Sequence, residues 1–411
     1  MVSEKMYDKL AELVVKKGAN VQKDQPVVIS ANIREAAFVK KIAKYAYEAG
    51  AGTVSVEWHD NDLSKMAYQY GTVEVLSEVP QWKYDKVKYQ HDKGSCYITV
   101  LSDPPGAMAG VDGDKIRAAN VAYYSKMADL MTYTLNNEGQ WCVIGVPSAD
   151  WAKAVFPDLP EDEAFEKLGD AIFAVTRVTE DNDPIAEWEK HDAEMLEHAT
   201  KLNAFGFEKL HFTGGQGTDL YVELVKDHIW VGGGCRTPEG VFFDPNMPTE
   251  ECFTMPLRTG VNGVVYASKP LDYQGKVIDG FRLRFENGKV VEFDANKERE
   301  ALAQLLSFDE GSSYLGEVAL VPYDSPISQS GILFFNTLYD ENAACHLAFG
   351  RSFPENVRGG KEMSKEELAA LGANHSIQHV DFMIGTADMN IDGILKDGTA
   401  VPVFRNGNFA F

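Results

Sequence analysis

The hydrophobic period of the chain changes near residue 205, and no single layer pattern accommodates both halves. Up to about Phe205, short apolar runs alternate with amphipathic stretches. Val27-Val28-Ile29-Ser30, Thr53-Val54-Ser55-Val56, Cys96-Tyr97-Ile98-Thr99-Val100 and Cys142-Val143-Ile144-Gly145-Val146 read as strands. Between the first two, Ala36, Val39, Ile42, Ala43 and Ala46 recur at helical spacing over Glu35 to Tyr47, and Gly50 supplies the stop. The alternation predicts an α/β domain, a parallel sheet with flanking helices. A connecting helix opened by Asp183-Pro184 is expected to run to about Leu202, carrying Trp188, His191, Met195 and His198.

Past Gly206 the period becomes two. Phe281-Arg282-Leu283-Arg284-Phe285 alternates, Asn287-Gly288 supplies a tight turn, and Val290, Val291 and Phe293 return, which predicts a β-hairpin. Asp392-Gly393, Asp397-Gly398 and Asn406-Gly407 read as turns between short strands of the C-terminal tail. Gly214-Gly215-Gln216-Gly217 and Gly232-Gly233-Gly234 likewise read as turns between strands. Helix is expected only at Lys297–Leu306, Asn342–Phe349 and Ser364–Leu371. A chain of 411 residues exceeds the roughly 250–300 at which one core stops growing. Two domains are therefore expected, an α/β domain over 1–205 and a mixed, mainly β α+β domain over 206–411.

Charge and cysteine content narrow the function classes. The formal net charge of −23 is spread along the chain, which does not suit neutralising nucleic-acid phosphates or an anionic membrane. The N-terminal segment is charged where a secretory signal needs an apolar run, and no stretch approaches the roughly 20 apolar residues of a membrane span. Five scattered cysteines, with no Cys-x-x-Cys, read as reduced and buried. The expected location is the cytoplasm.

The usual catalytic motifs are missing: no dinucleotide fingerprint after a strand, no Walker loop, no Gly-x-Ser-x-Gly elbow and no His-Glu-x-x-His helix. What remains is a set of oxygen and nitrogen ligands in the second half. His379 and Asp381 stand two apart in an extended stretch, so they project from one strand face and suit a divalent transition metal. Glu250 and Glu251 precede the apolar Cys252-Phe253; in an extended segment they face opposite ways, so only one reaches a common site. Glu317 opens the run Val318-Ala319-Leu320-Val321, a strand-end position on rigid support. His346 falls in the expected helix after Asn342, where, taken alone, a core histidine bonded to the backbone is the favoured reading over a ligand.

Five segments stand in this order: Asn246-Met247-Pro248-Thr249-Glu250-Glu251, Ala267-Ser268-Lys269-Pro270-Leu271, Leu315-Gly316-Glu317-Val318-Ala319-Leu320-Val321, His346-Leu347-Ala348-Phe349-Gly350 and His379-Val380-Asp381-Phe382-Met383-Ile384-Gly385. Together they resemble the metalloaminopeptidases of the aminopeptidase T, aminopeptidase S and PepS group, and the likeness runs from Gly18-Ala19-Asn20-Val21 to Arg405-Asn406-Gly407. The resemblance implies a two-metal site in the C-terminal domain, with Glu251, Glu317, His346, His379 and Asp381 in ligand positions. It also implies a homodimer, with the first domain walling the cleft and offering dimer contacts. The family's tyrosine ligand, seven residues after the first histidine, is here Phe353, which has no oxygen to offer. His375 has no matching ligand role and is read as structural. Arg351 is read as a salt-bridge partner or a receptor for a substrate carboxylate.

The implied activity is release of N-terminal amino acids from short peptides with a free N-terminus. Two divalent ions (zinc, cobalt or manganese), about 3.5–4 Å apart, would activate a water and polarise the scissile carbonyl. Glu317 or Asp381 is the expected bridge, and Glu250 the nearest candidate to accept the water's proton. The same ligands would also serve a binuclear hydrolase of phosphoesters or cyclic amides, or a protein that binds metal or peptide without turnover.

Overall fold

Val27, Val28, Ile29 and Ala31 are all buried, as a strand covered on both faces requires. The computed structural model describes residues 2–411 apart from Gly275. Strands β1 (Pro26–Asn32), β2 (Thr53–His59), β3 (Cys96–Leu101) and β4 (Trp141–Gly145) form a parallel sheet with the short strand Asn246–Met247 beside β4, in the order Asn246–Met247, β4, β3, β1, β2. Helix Ala36–Glu48 lays Phe38, Val39, Ile42 and Ala46 inward. The doubly wound half is as the sequence predicts.

Helix Pro184–Phe205 begins where expected, with Asp183 Oδ1 accepting the Ile185 and Ala186 N–H groups at 3.1 and 3.3 Å. The sequence reading divides the chain at 205/206. The compact units instead comprise Met1–Glu189 with Gly234–Pro248, and Lys190–Gly233 with Thr249–Phe411. The strand Asn246–Met247 explains the excursion, since its backbone pairs with β4 of the first unit.

In the second unit an eight-stranded antiparallel sheet and a five-stranded one share a single core. The larger sheet holds the expected hairpin, Arg282–Glu286 with Lys289–Asp294, around Asn287 and Gly288, both at positive φ. The smaller sheet contains β5 (Cys252–Thr254), β6 (Leu315–Leu320), β7 (His346–Gly350) and β8 (His379–Met383), in the order β8, β7, β6, β5, with Val231–Gly232 at its edge. Leu210, Phe212, Leu220, Val222 and Ile391 of the larger sheet meet Cys252, Val318, Leu320, Leu347 and Phe349 of the smaller.

Two local expectations are corrected. The helix expected over Asn342–Phe349 is a short 3₁₀ turn, Glu341–Ala343, followed by strand β7. Ala343, Ala344 and Ala348 favour helix, but β7 is hydrogen-bonded on both sides, to β6 and β8, and buried throughout; tertiary pairing overrides propensity. Asp392-Gly393 lies inside strand Asn390–Ile394 instead of forming a turn. Gly393 is there because a Cβ would come within 2.3 Å of the Phe207 ring. The other two expected tail turns, at Asp397-Gly398 and Asn406-Gly407, lie between strands.

Buried Asn374 fastens the lead-in to the smaller sheet. Its Nδ2 donates to the carbonyls of Gly311 (2.8 Å), Gly350 (2.7 Å) and Tyr314 (3.3 Å), tying the start of β6 to the end of β7. Neighbouring His375 is exposed. Asn374→Ala strands buried carbonyls without a donor and is expected to cost about 1–3 kcal/mol. Urea unfolding checks this; an unchanged midpoint would show that water replaces the amide.

Candidate metal centre

The smaller sheet has two unlike faces. Cys252, Val318, Leu320, Leu347, Phe349 and Phe382 point into the core, so the residues between them, Glu251, Ala319, His346, Ala348 and Asp381, face the other way. Register then gathers residues distant in sequence. Glu317 pairs with Ala348, which pairs with Asp381; His346 pairs with Ala319 and Met383; Gly350 pairs with His379. Ala319 and Ala348 rise no higher than a methyl group, so the longer side chains converge over them.

Glu317 shares this face with Ala319 by period-two alternation, and a β-bulge just before it re-phases the start of β6. Leu315 pairs with Phe349 and Glu317 with Ala348, two residues of β6 against one step of β7. Without that extra residue, Leu315 and Glu317 would share a face, and Leu315 would leave the core for the carboxylate face. The bulge is at Gly316, where a Cβ would lie 2.3 Å from the Gly350 carbonyl oxygen and 2.4 Å from that of Arg351. Glycine is demanded there by close backbone approach.

Both imidazoles are oriented from behind. His346 Nδ1 lies 3.2 Å from the Ala344 carbonyl oxygen and His379 Nδ1 lies 2.7 Å from that of Arg351. A carbonyl only accepts, so each Nδ1 is the protonated nitrogen and each Nε2 of the neutral ring presents a lone pair. Those Nε2 atoms face carboxylates. His346 Nε2 is 3.0 Å from Glu251 Oε2 and 3.5 Å from Glu317 Oε1; His379 Nε2 is 3.5 Å from Glu317 Oε2 and 3.2 Å from Asp381 Oδ1. Glu251 Oε2 and Asp381 Oδ1 are buried with no aligned hydrogen-bond donor.

A lone pair against a carboxylate is repulsive unless a cation lies between. Ligand bonds of about 2.0–2.2 Å at near-tetrahedral angles separate neighbouring ligand atoms by about 3–3.5 Å, the spacing seen here. Two groups of metal-competent atoms meet this test, Glu251 with Glu317 and His346, and Glu317 with His379 and Asp381. Glu317 belongs to both. The donor set fits a divalent transition metal.

Without a metal, protons hold the cluster together. Burial works against imidazolium at His379, but Asp381 and Glu317 overcome it and push the group up to about 9. Burial likewise opposes the charge on His346, and Glu251 and Glu317 raise it well above its ordinary value. Burial, with Glu251 and Asp381 adding to it, lifts Glu317 to about 7. At Asp381 burial is outweighed by His379 and His346, which pull the carboxyl below its usual range.

Glu250 faces elsewhere than Glu251. Its carboxylate lies 3.7 Å from His191 Nε2, and its backbone N–H donates to Asn342 Oδ1 at 2.6 Å. His191 Nε2 also lies 2.7 Å from the Thr249 carbonyl oxygen, so this region is a buried support beneath Glu251. Two residues outside the sequence reading belong to the surroundings. Glu341 is half-buried, and burial together with the carboxylates of Asp381 and Glu251 raises its carboxyl well above the usual range. Asn342 is fully buried and donates to the Leu338 carbonyl at 3.0 Å. The signal was an acidic pair, Asp340-Glu341, at the lead-in to the strand of His346; the mistaken helix obscured it.

The chain matches the thermophilic metalloprotease (M29) family over residues 3–409. It belongs to that family. It is 47% identical over 401 residues to aminopeptidase AmpS of Bacillus subtilis (strain 168), covering 98% of this chain and 97% of the relative. To aminopeptidase T of Thermus thermophilus it is 41% identical, with 98% of both chains covered. The solved structure of wild-type AmpT from Thermus thermophilus superposes with a TM-score of 0.93 at 40% identity, covering 99% of this chain and 100% of that one.

Within this M29 chain, Phe353 packs its ring 4.7 Å from that of His379 and 6.3 Å from that of Phe253. It gives the centre an apolar border where the resemblance calls for a tyrosine. Arg351 holds its guanidinium 6.0 Å from the Phe353 ring and its carbonyl on His379.

The raised groups fix the pH dependence of the metal-free protein. Between the ordinary values of 4.5 for Glu317 and 6.5 for His379 and their raised values of about 7 and about 9, the folded state binds protons that the unfolded state does not. Their stabilisation is therefore complete below the ordinary values and is lost as pH rises through the raised ones. In chelator, Tm should fall from about pH 6 to pH 9, and an added divalent cation should remove the fall. A Tm in chelator that is level over this range counts against the cluster.

Proposed function

We propose that the chain is a metal-dependent aminopeptidase that removes N-terminal residues from short peptides by means of two divalent ions, zinc, cobalt or manganese. Glu251, Glu317 and His346 would hold one ion, Glu317, His379 and Asp381 the other, with Glu317 common to both. The observation that carries this reading is the pair of imidazole Nε2 atoms aimed at carboxylates while each Nδ1 is spent on a backbone carbonyl. Bound ions supply activation of the attacking water and polarisation of the scissile carbonyl.

The protein's own residues do the rest. The carbonyls of Ala344 and Arg351 fix the ring orientation and the tautomer, so that each neutral ring turns its Nε2 lone pair toward the carboxylates. The register of β6 against β7 supports Glu317 as a member of both groups, and the Gly316 bulge keeps Leu315 in the core behind it. Glu250, the nearest candidate in sequence to accept a proton, has contacts that suit a positioning part instead: it joins His191 and Asn342 in holding the segment before Glu251.

An unblocked aminoacyl substrate, its N-acetylated twin and a phosphoester, each assayed with added Zn²⁺, Co²⁺ or Mn²⁺, test the reading. Cleavage of the first alone is expected, and Glu317→Gln should reduce it to background while the circular dichroism spectrum is unchanged. Phosphoester turnover, or full activity in the variant, would sink the assignment.

The same reading includes a homodimer and a cytoplasmic location. Helix Asn61–Tyr70 exposes Leu63, Met66 and Tyr70 along one stripe, and among the described residues it buries none of its side chains. Cys96, Cys142, Cys252 and Cys345 form no disulfide, as in a reducing compartment, and no described helix is long and apolar enough to cross a membrane. Sedimentation equilibrium should give twice the chain mass, and Leu63→Lys with Met66→Lys should give the monomer; a monomeric parent protein would refute the dimer.

A further inference from the structure

A peptidase confined to chain ends needs a receptor for the α-ammonium group, which the α-carbon alone separates from the scissile carbonyl. Such a receptor must be an anion, must stand beside the metal-type ligands, and must not be consumed by holding an ion or a salt bridge. Most carboxylates around the centre fail one of these conditions. Glu251, Glu317 and Asp381 are committed to the two convergent groups. Glu250 lies against His191. Asp340 is almost fully buried and accepts the backbone N–H groups of Phe334 and Asn336 at 2.8 and 2.9 Å, which spends it on the turn before the 3₁₀ segment.

Glu341 meets all three. It opens the 3₁₀ turn Glu341–Ala343, which packs on β8 and runs into β7, the strand of His346. It packs beside the strand of His379 and Asp381 and precedes that of His346, yet it belongs to neither group; bound cations there would favour its carboxylate over the acid form that burial and the neighbouring carboxylates favour in the metal-free protein. Among the described residues it forms no ion pair, and its one hydrogen bond is a weak one from Asn342 Nδ2 at 3.5 Å. It is half-buried, so a ligand can reach it. The Asn342 amide that contacts it also receives the Glu250 N–H, which ties the placement of Glu341 to that of the segment bearing Glu251.

We propose that Glu341 receives the α-ammonium group of the substrate and thereby limits cleavage to free N-termini. The proposal rests on the aminopeptidase reading above and deepens it. A carboxylate at this place discriminates by charge: an acylated N-terminus offers no cation, and burying Glu341 against it would leave the carboxylate without a partner.

Binding in the metal-loaded protein tests this apart from turnover. Leucine hydroxamate and its counterpart lacking the amine are titrated calorimetrically into the parent protein, Glu341→Gln and Glu341→Asp, with metal content measured for each. The parent should bind the amine-bearing compound about 10- to 100-fold more tightly, the value of one charge-assisted hydrogen bond. Glu341→Gln should bind the two almost equally with its metal retained, and Glu341→Asp should keep part of the preference, which also covers the case in which the glutamine variant does not fold. A preference surviving intact in the variants would overturn the proposal in favour of the metal as ammonium receptor. Loss of metal from Glu341→Gln would overturn it in favour of a ligand role. Failure of the parent itself to take up metal or to cleave an unblocked substrate would instead refute the aminopeptidase reading on which the proposal stands.

Discussion

Two imidazole lone pairs aimed at carboxylates are the constraint around which the second unit is organised. Such an arrangement is unfavourable in a buried place unless positive charge enters it, as protons or as metal. Ionised together, the carboxylates of Glu251, Glu317, Glu341 and Asp381 would bring four negative charges with neutral imidazoles to offset none of them; without metal, burial and these neighbours raise Glu317 and Glu341 instead. A pair of divalent ions would cancel that charge. The raised values of His346, His379 and Glu317 are the same imbalance expressed with protons in place of metal.

The sheet makes this tension sustainable. One face of β5 to β8 is fixed in the apolar core shared with the larger sheet, so the opposite face is held rigidly at strand spacing. Period-two alternation separates the faces and puts Glu317 beside Ala319, Ala319 and Ala348 leave space above the sheet, and the bulge at Gly316 returns Leu315 to the core. Stability and chemistry are thus supplied by alternate residues of the same strands. Leu347 and Phe349 belong to the first, His346 to the second.

Much of this was legible beforehand. Parallel strands from β1 to β4, the hairpin at Asn287-Gly288 and the pairing of His379 with Asp381 on one strand face all follow from local period and turn chemistry. The opposite orientations of Glu250 and Glu251 also follow from extended geometry, and the structure places one against His191 and the other against His346. His346 did not yield to the same reasoning. Its alanine-rich surroundings carry a helical signal, and only pairing with strands on both sides makes the segment extended. Glu341 was hidden by the same error, and Asn374 and Asn342 by the fact that their partners lie far away in sequence.

The sequence by itself determined which side chains were available, the change of period that separates an α/β part from a mainly β part, and the local faces of individual strands, because these depend on neighbours a few residues apart. The tertiary structure alone decided that β5, β6, β7 and β8 lie side by side, that a bulge at Gly316 turns Leu315 into the core, and that Asn246–Met247 joins the parallel sheet. Those outcomes depend on hydrogen-bond register between strands widely separated along the chain, and register is set by the packing of a common core, which no local pattern records.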